Sequence, residues 1–171
     1  MDSDGDSCSI SILFVCMGNI CRSPMAEFLL KDMVNKNKPS NRFMINSAAV
    51  TDEQLGKDIA IGTKKELDKR SIPYQKRMAV KLRKEDYDKY DYIIAMDEKI
   101  IEGILKIVEK DSKNKIYKLL DFSNKPRDIV DPAETNDFER TYKEIKEGCD
   151  CFYNYLISHE IIKKNTQLRS A

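Results

Sequence analysis

Apolar and polar positions alternate along the chain in a way that predicts strands separated by helices. Residues 9–15 read as a buried strand through Ile10, Ile12, Leu13, Phe14 and Val15. A short loop, 16–22, follows. Ser23-Pro24 then announces a helix, because Ser is a good N-cap and Pro suits the first helical position. Met25, Phe28, Leu29 and Met33 recur on one face, and Glu27 lies near the end where the helix dipole favours an acid. This helix is expected to fade near Asn37, ahead of Pro39. The pattern continues with a strand over 43–49 and a helix over 58–70. A third strand over 92–96, an amphipathic helix over 98–110 and a fourth strand over 115–120 come next. A loop over 121–132 and a long closing helix over 137–162 complete it.

Such alternation implies an α/β fold: a single domain with a four-stranded parallel twisted sheet and helices on both faces. Residues 1–8 read as a disordered, Asp- and Ser-rich tail, 9–162 as the domain, and 163–171 as a polar C-terminal tail. In open parallel sheets, ligands bind beyond the carboxyl ends of the strands at a topological switch point. The loop after the first strand is therefore the first place to look.

Composition narrows the function. Thirty Lys and Arg balance 29 Asp and Glu in 171 residues, so no global field favours nucleic acid. No apolar run approaches the roughly 20 residues that span a bilayer, and the acidic start of the chain lacks the basic region of a signal peptide. A cytoplasmic protein is expected. The five Cys (8, 16, 21, 149 and 151) are odd in number and irregular in spacing, which argues against a disulfide framework. With one His, His159, far from the other cysteines, a zinc site is not expected, nor is a Cys-His relay. Cys149 and Cys151 read as structural, and His159 as a surface residue.

The loop reads Cys16-Met17-Gly18-Asn19-Ile20-Cys21-Arg22-Ser23. It joins a strand to a helix N-terminus, where successive backbone N–H groups and the helix dipole make an anion site. Gly18 permits a tight backbone, and Arg22 supplies a planar, permanently charged fork suited to phosphate oxygens. Cys16 opens the loop. Helix N-termini and nearby Arg bring cysteine pKa values down to about 3.5–7.5, so a thiolate forms there without a His. A thiolate beside a phosphate cradle suits phosphoryl transfer to sulfur. A bare Cys-x5-Arg is a weak signal; its place between a strand and a Ser-Pro helix start makes it a strong one.

The run from Val15 to Glu27 resembles the low-molecular-weight protein tyrosine phosphatase family. Asn46-Ser47-Ala48-Ala49-Val50, the stretch from Asp91 to Glu98, and Val130-Asp131-Pro132 match further, in order. The resemblance implies a phosphatase that acts on phosphotyrosine proteins and small aryl phosphates, with no metal or organic cofactor. It implies that Cys16 attacks phosphorus to form a phosphocysteine, while Arg22 and the amides of residues 17–23 hold the phosphate or another oxyanion. Ser23 matches the hydroxyl that stabilises the thiolate, Asn19 a residue that braces the loop, and Asp131 the general acid; alone, Asp-Pro reads as a turn. Cys21 is either a small buried residue or a redox partner of Cys16. Arsenate reduction on the same fold would need cysteines between Cys21 and Cys149, and there are none. The protein-arginine phosphatase branch carries Thr where Ile20 stands. A weakly active phosphotyrosine-binding module is the alternative from another class. One departure is clear. The family's aromatic pair after Asp-Pro is replaced by Ala133 and Glu134, and Glu53 stands at an often aromatic position. These three are the expected pocket rim, without a ring to face a phenyl group.

Overall fold

The structure is a computed structural model and describes residues 9–159 and 161–163. The expected tail at 1–8 and all but the first residue of the one at 163–171 lie outside the described residues. Lys163 itself is tied down: its N–H donates to Asn41 Oδ1 at 2.5 Å and its carbonyl accepts from Ser40 N at 3.0 Å.

β1 (Ser9–Cys16) is followed by α1 (Arg22–Asn37), β2 (Arg42–Ala49), α2 (Ile61–Lys69), the single-turn α3 (Asp86–Lys89) and β3 (Tyr92–Ala95). Then come α4 (Glu98–Val108), β4 (Ile116–Lys118), a 3₁₀ turn (Leu119–Phe122), α5 (Pro132–Thr135) and α6 (Phe138–Ser158). The four strands pair in parallel in the order β2-β1-β3-β4. The order reverses beside β1, so the loop leaving Cys16 lies at the switch point.

The two-residue period of β1 divides the core. Ile10, Ile12, Phe14 and Cys16 face α1 and α6, packing with Met25, Leu29, Ile145 and Phe152. Leu13 and Val15 face α4, against Ile93, Ile100 and Ile104. Cys16 thus takes its direction from the same alternation that buries Phe14. In α4 the buried residues Ile100, Ile104 and Val108 recur every four, as an amphipathic helix requires.

Four expected boundaries move for physical reasons. α1 begins at Arg22, with Cys21 rather than Ser23 at the N-cap position, because the Ser23 hydroxyl is engaged elsewhere. Its first turns are buried all round, from Arg22 to Leu30, rather than on one face. The helix expected from 58 begins at Ile61, because the Asp58 carboxylate holds Ile59 N and Arg77 N and pairs with Lys64. β4 stops at Lys118, where Asp121 Oδ2 accepts the Lys118 N–H at 3.0 Å and turns the chain. α6 stops at Ser158, and Ile161 and Ile162 both fold their N–H groups onto the Leu156 carbonyl. Two short helices, α3 and α5, are additional, because the apolar pattern predicts no element over 86–89 or 133–136. α5 forms because Asp131 caps it and Pro132 occupies its first position.

Candidate active site

Cys16 ends β1 and is almost fully buried. The loop that follows is hung from its neighbours by main-chain bonds: Val50 N to Cys16 O at 3.1 Å, Thr51 N to Met17 O at 3.2 Å and Ala60 N to Ile20 O at 2.9 Å. Its left-handed residue is Asn19 (φ 59°), not Gly18. At Gly18 the constraint is a different one: a Cβ there would meet Gln54 Cγ at 2.8 Å, and that side chain would have to shift.

Asn19 holds this conformation through its side chain. Its Oδ1 accepts from Val80 N at 3.1 Å, which fixes the amide's orientation. Its Nδ2 then donates to Ser23 Oγ at 2.9 Å and to Ser47 Oγ at 2.8 Å. Each hydroxyl accepts from Asn19 and has one further polar neighbour. Ser47 donates to Glu27 Oε1 at 2.6 Å, and Ser23 faces Cys16 Sγ at 2.9 Å. The Asn19 amide N–H also points at Cys16 Sγ, at 3.3 Å. The Asn19 amide N–H and the Ser23 hydroxyl thus both lie against the sulfur. The Arg77 guanidinium closes the brace by donating to the Asn19 carbonyl.

Arg22 is 1% exposed, and three elements meet on its guanidinium. Its Nη1 donates to Asp97 Oδ2 at 2.6 Å and to the Ile129 carbonyl at 2.6 Å, and its Nη2 lies 3.5 Å from Asp131 Oδ2. Asp97 also caps α4, accepting from Ile100 N at 2.9 Å. Ile129 N is bonded to Met96 O at 3.0 Å, so the segment leading to Asp131 is pinned to the end of β3. Asp131 Oδ1 accepts from Ala133 N at 3.0 Å, leaving Oδ2 toward Arg22 and the pocket.

The pocket holds about 140 Å³ and is lined by residues 16–18 and 20–22 of the loop with Glu53, Gln54, Asp131 and Ala133. Cys16, Arg22 and Asp131 thus share one concave site, with Met17, Gly18, Ile20 and Cys21 around them. Asn19 and Ser23 stand behind it, bonded to the sulfur rather than lining the pocket. Of the three expected rim residues, Glu53 and Ala133 line the pocket, whereas Glu134 does not; it is exposed on α5. No lining residue is aromatic. Cys21 lies in the pocket wall as a free thiol, its pKa pushed up to about 12 by burial first and then by the charges of Cys16 and Asp131. Cys149 is buried against the Ala26 carbonyl, and His159 is exposed. Four participants have no role in the sequence reading: Asp97 and Ser47, which lie in stretches that resemble the family, and Gln54 and Arg77. For Asp97 a signal existed, since an Asp directly ahead of an amphipathic helix is a cap. For the other three, tertiary folding alone brings them to the loop. Among the described residues, no His, Cys, Asp and Glu cluster is arranged to hold a metal ion.

A strand–loop–helix anion cradle with a buried thiol at its start, an arginine at its end and a carboxylate across the mouth defines a cysteine-centred phosphatase class. Comparison with known proteins agrees. The sequence profile described as "Low molecular weight phosphotyrosine protein phosphatase" matches residues 11–168, and the chain belongs to that family. It is 34% identical over 156 residues to the low molecular weight protein-tyrosine-phosphatase PtpA of Staphylococcus aureus, covering 91% of this chain and 99% of the relative. Among solved structures, YfkJ from Bacillus subtilis superposes with a TM-score of 0.86 at 32% identity, covering 91% of this chain and 99% of that one. SP-PTP, the low molecular weight protein tyrosine phosphatase of Streptococcus pyogenes, does so at 0.78 and 34%, covering 89% and 96%. The chain is a hydrolase of the protein-tyrosine phosphatase type.

Proposed function

We propose that this phosphatase hydrolyses phosphotyrosine in proteins, and small aryl phosphates, through a phosphocysteine at Cys16. Cys16 Sγ attacks phosphorus in line and the P–O bond to the phenol breaks. Asp131, in its acid form, gives its proton to the departing oxygen. Asp131, now a carboxylate, takes a proton from water as that water attacks phosphorus. The S–P bond breaks and inorganic phosphate leaves. Arg22 and the loop amides carry the charge of the equatorial oxygens throughout, which is most of what a phosphoryl transition state asks for. The Ser23 hydroxyl stabilises the sulfur as nucleophile and again as leaving group.

The observation that carries this reading is the hydrogen-bond chain Val80 N–H, Asn19, Ser23, Cys16, which sets a hydroxyl against the sulfur at the foot of the pocket. A structural cysteine has no use for it. The open wall at Ala133 and the carboxylate of Glu53 further favour a tolerant site that selects aryl over alkyl esters weakly and disfavours acidic flanks on a peptide. A nucleophile that must stay reduced fits a reducing compartment, and we place the protein in the cytoplasm.

Asp131→Ala tests the assignment. Turnover of phosphotyrosine, whose phenol is a poor leaving group, is expected to fall about 10²–10⁴-fold. A p-nitrophenyl ester, which leaves without a proton, should lose much less. Equal losses on both substrates would remove Asp131 from the acid role.

A further inference from the structure

The catalytic pocket is not the largest cavity of this protein. A groove of about 730 Å³ shares no lining residue with it and lies against the back of the catalytic loop. Asn19, Ser47 and Glu27, three members of the brace behind the Ser23 hydroxyl, line its inner side. The volume is within the range of small-molecule sites, about 300–1,000 Å³.

The lining has two characters. Met78, Val80 and Leu55 are 69%, 52% and 45% exposed, and all three face this groove. Single exposed apolar side chains are ordinary, but three gathered on one concavity form a surface that gains by being covered. Around them stand cations. Lys81 pairs at the surface with exposed Asp52 at 3.0 Å. Among the described residues, Arg83 and Lys89 have no carboxylate at ion-pair distance, and Lys89 Nζ lies 5.5 Å above the Tyr90 ring. The acids of the groove are already engaged: Glu27 by Ser47 and Lys31, Asp86 by the Arg83 N–H. The remaining field is positive beside an apolar wall.

We infer that this groove is a second ligand site, for a small ring-bearing molecule with a carboxylate, sulfonate or phosphate at one end. The ring covers Met78, Val80 and Leu55, and the anion meets Arg83 and Lys89. Because the groove's inner wall is the Asn19–Ser47–Glu27 brace, the occupant also bears on the hydroxyl that serves Cys16. Occupancy then alters turnover without entering the catalytic pocket.

The probe is 8-anilinonaphthalene-1-sulfonate, an aryl sulfonate that fluoresces when its rings leave water, titrated into the full chain with inorganic phosphate saturating the catalytic site. One saturable site is expected, retained in phosphate. Arg83→Glu, which replaces attraction by repulsion, and Met78→Glu, which puts a charge into the apolar wall, both at exposed positions, should each weaken it by about tenfold. Without the probe both variants should turn over aryl phosphate like the parent. Saturating probe should change kcat and not KM alone. Displacement of the probe by phosphate, or parent-like binding in both variants, would overturn the site. Binding at the groove with kcat unchanged would overturn its link to the loop.

Discussion

Replacing Asp97 by Asn is the most informative single perturbation away from the reacting atoms. Both carboxylate oxygens of Asp97 are in use, Oδ1 on the Ile100 N–H at 2.9 Å and Oδ2 on Arg22 Nη1 at 2.6 Å. An amide has one acceptor. If its oxygen keeps capping α4, its NH₂ meets the guanidinium donor against donor; if the oxygen turns to Arg22, the cap is lost. The first arrangement forfeits a hydrogen bond between charged groups, about 1.5–3 kcal/mol, or about 10- to 150-fold in rate. The second costs helix stability, typically about 1 kcal/mol. Arg22 also binds the Ile129 carbonyl, so it stays in place but is less well aimed. We therefore expect kcat/KM for p-nitrophenyl phosphate to fall by about 10- to 150-fold. Inhibition by inorganic phosphate should weaken in parallel, while the urea midpoint moves little. Asp97 lies outside the pocket, so a loss of phosphate affinity reports on Arg22 alone. Parent-like kcat/KM and phosphate affinity in Asp97→Asn would refute the claim that this carboxylate positions the arginine.

Other expectations are simpler. Arg22→Lys should lose nearly all activity, because a point charge cannot bridge Asp97, Ile129 and phosphate at once; near-native kcat/KM would show that the fork is not needed. Cys21, with its pKa raised to about 12, stays a neutral thiol up to strongly alkaline pH, so iodoacetate at pH 7–9 should label Cys16 and spare Cys21. Peroxide should first convert Cys16 to a sulfenic acid, which condenses with Cys21 into a disulfide and water; thiol recovery that is unchanged in Cys21→Ser would remove Cys21 from that chemistry. Ala133→Tyr should raise kcat/KM for phenyl phosphate about 2- to 13-fold, the worth of one aromatic contact, and leave alkyl phosphate unchanged. An unchanged ratio of the two would mean that another side chain supplies the wall.

The sheet was legible because β1 and β3 are short apolar runs whose burial is dictated by composition. The catalytic loop was legible because strand, Cys-x5-Arg and Ser-Pro lie together in sequence. What was not legible is what the fold assembles from a distance. Ser23 has the residue type of a cap, yet Asn19 and Cys16 compete for its hydroxyl and win, which moves the helix start to Arg22. Gly18 reads as the residue that permits a tight backbone, yet Asn19 takes the left-handed conformation, because Val80 and Arg77 from a segment about 60 residues away hold both its ends. Asp131-Pro132 looked like a turn and is a helix start, and that one-turn helix carries Glu134 away from the rim. In each case a tertiary partner overrode a local preference.

The proposed transfer of phosphorus to Cys16 leaves a covalent intermediate that can be trapped. The decisive measurement mixes the enzyme with phosphotyrosine or p-nitrophenyl phosphate, quenches within one turnover and maps the peptides by mass. One phosphoryl group is expected on the peptide containing Cys16, lost on further incubation as inorganic phosphate appears, with no phosphoenzyme or turnover in Cys16→Ser. Turnover that persists in Cys16→Ser, or a phosphoryl group mapped to any other residue, would contradict the transfer.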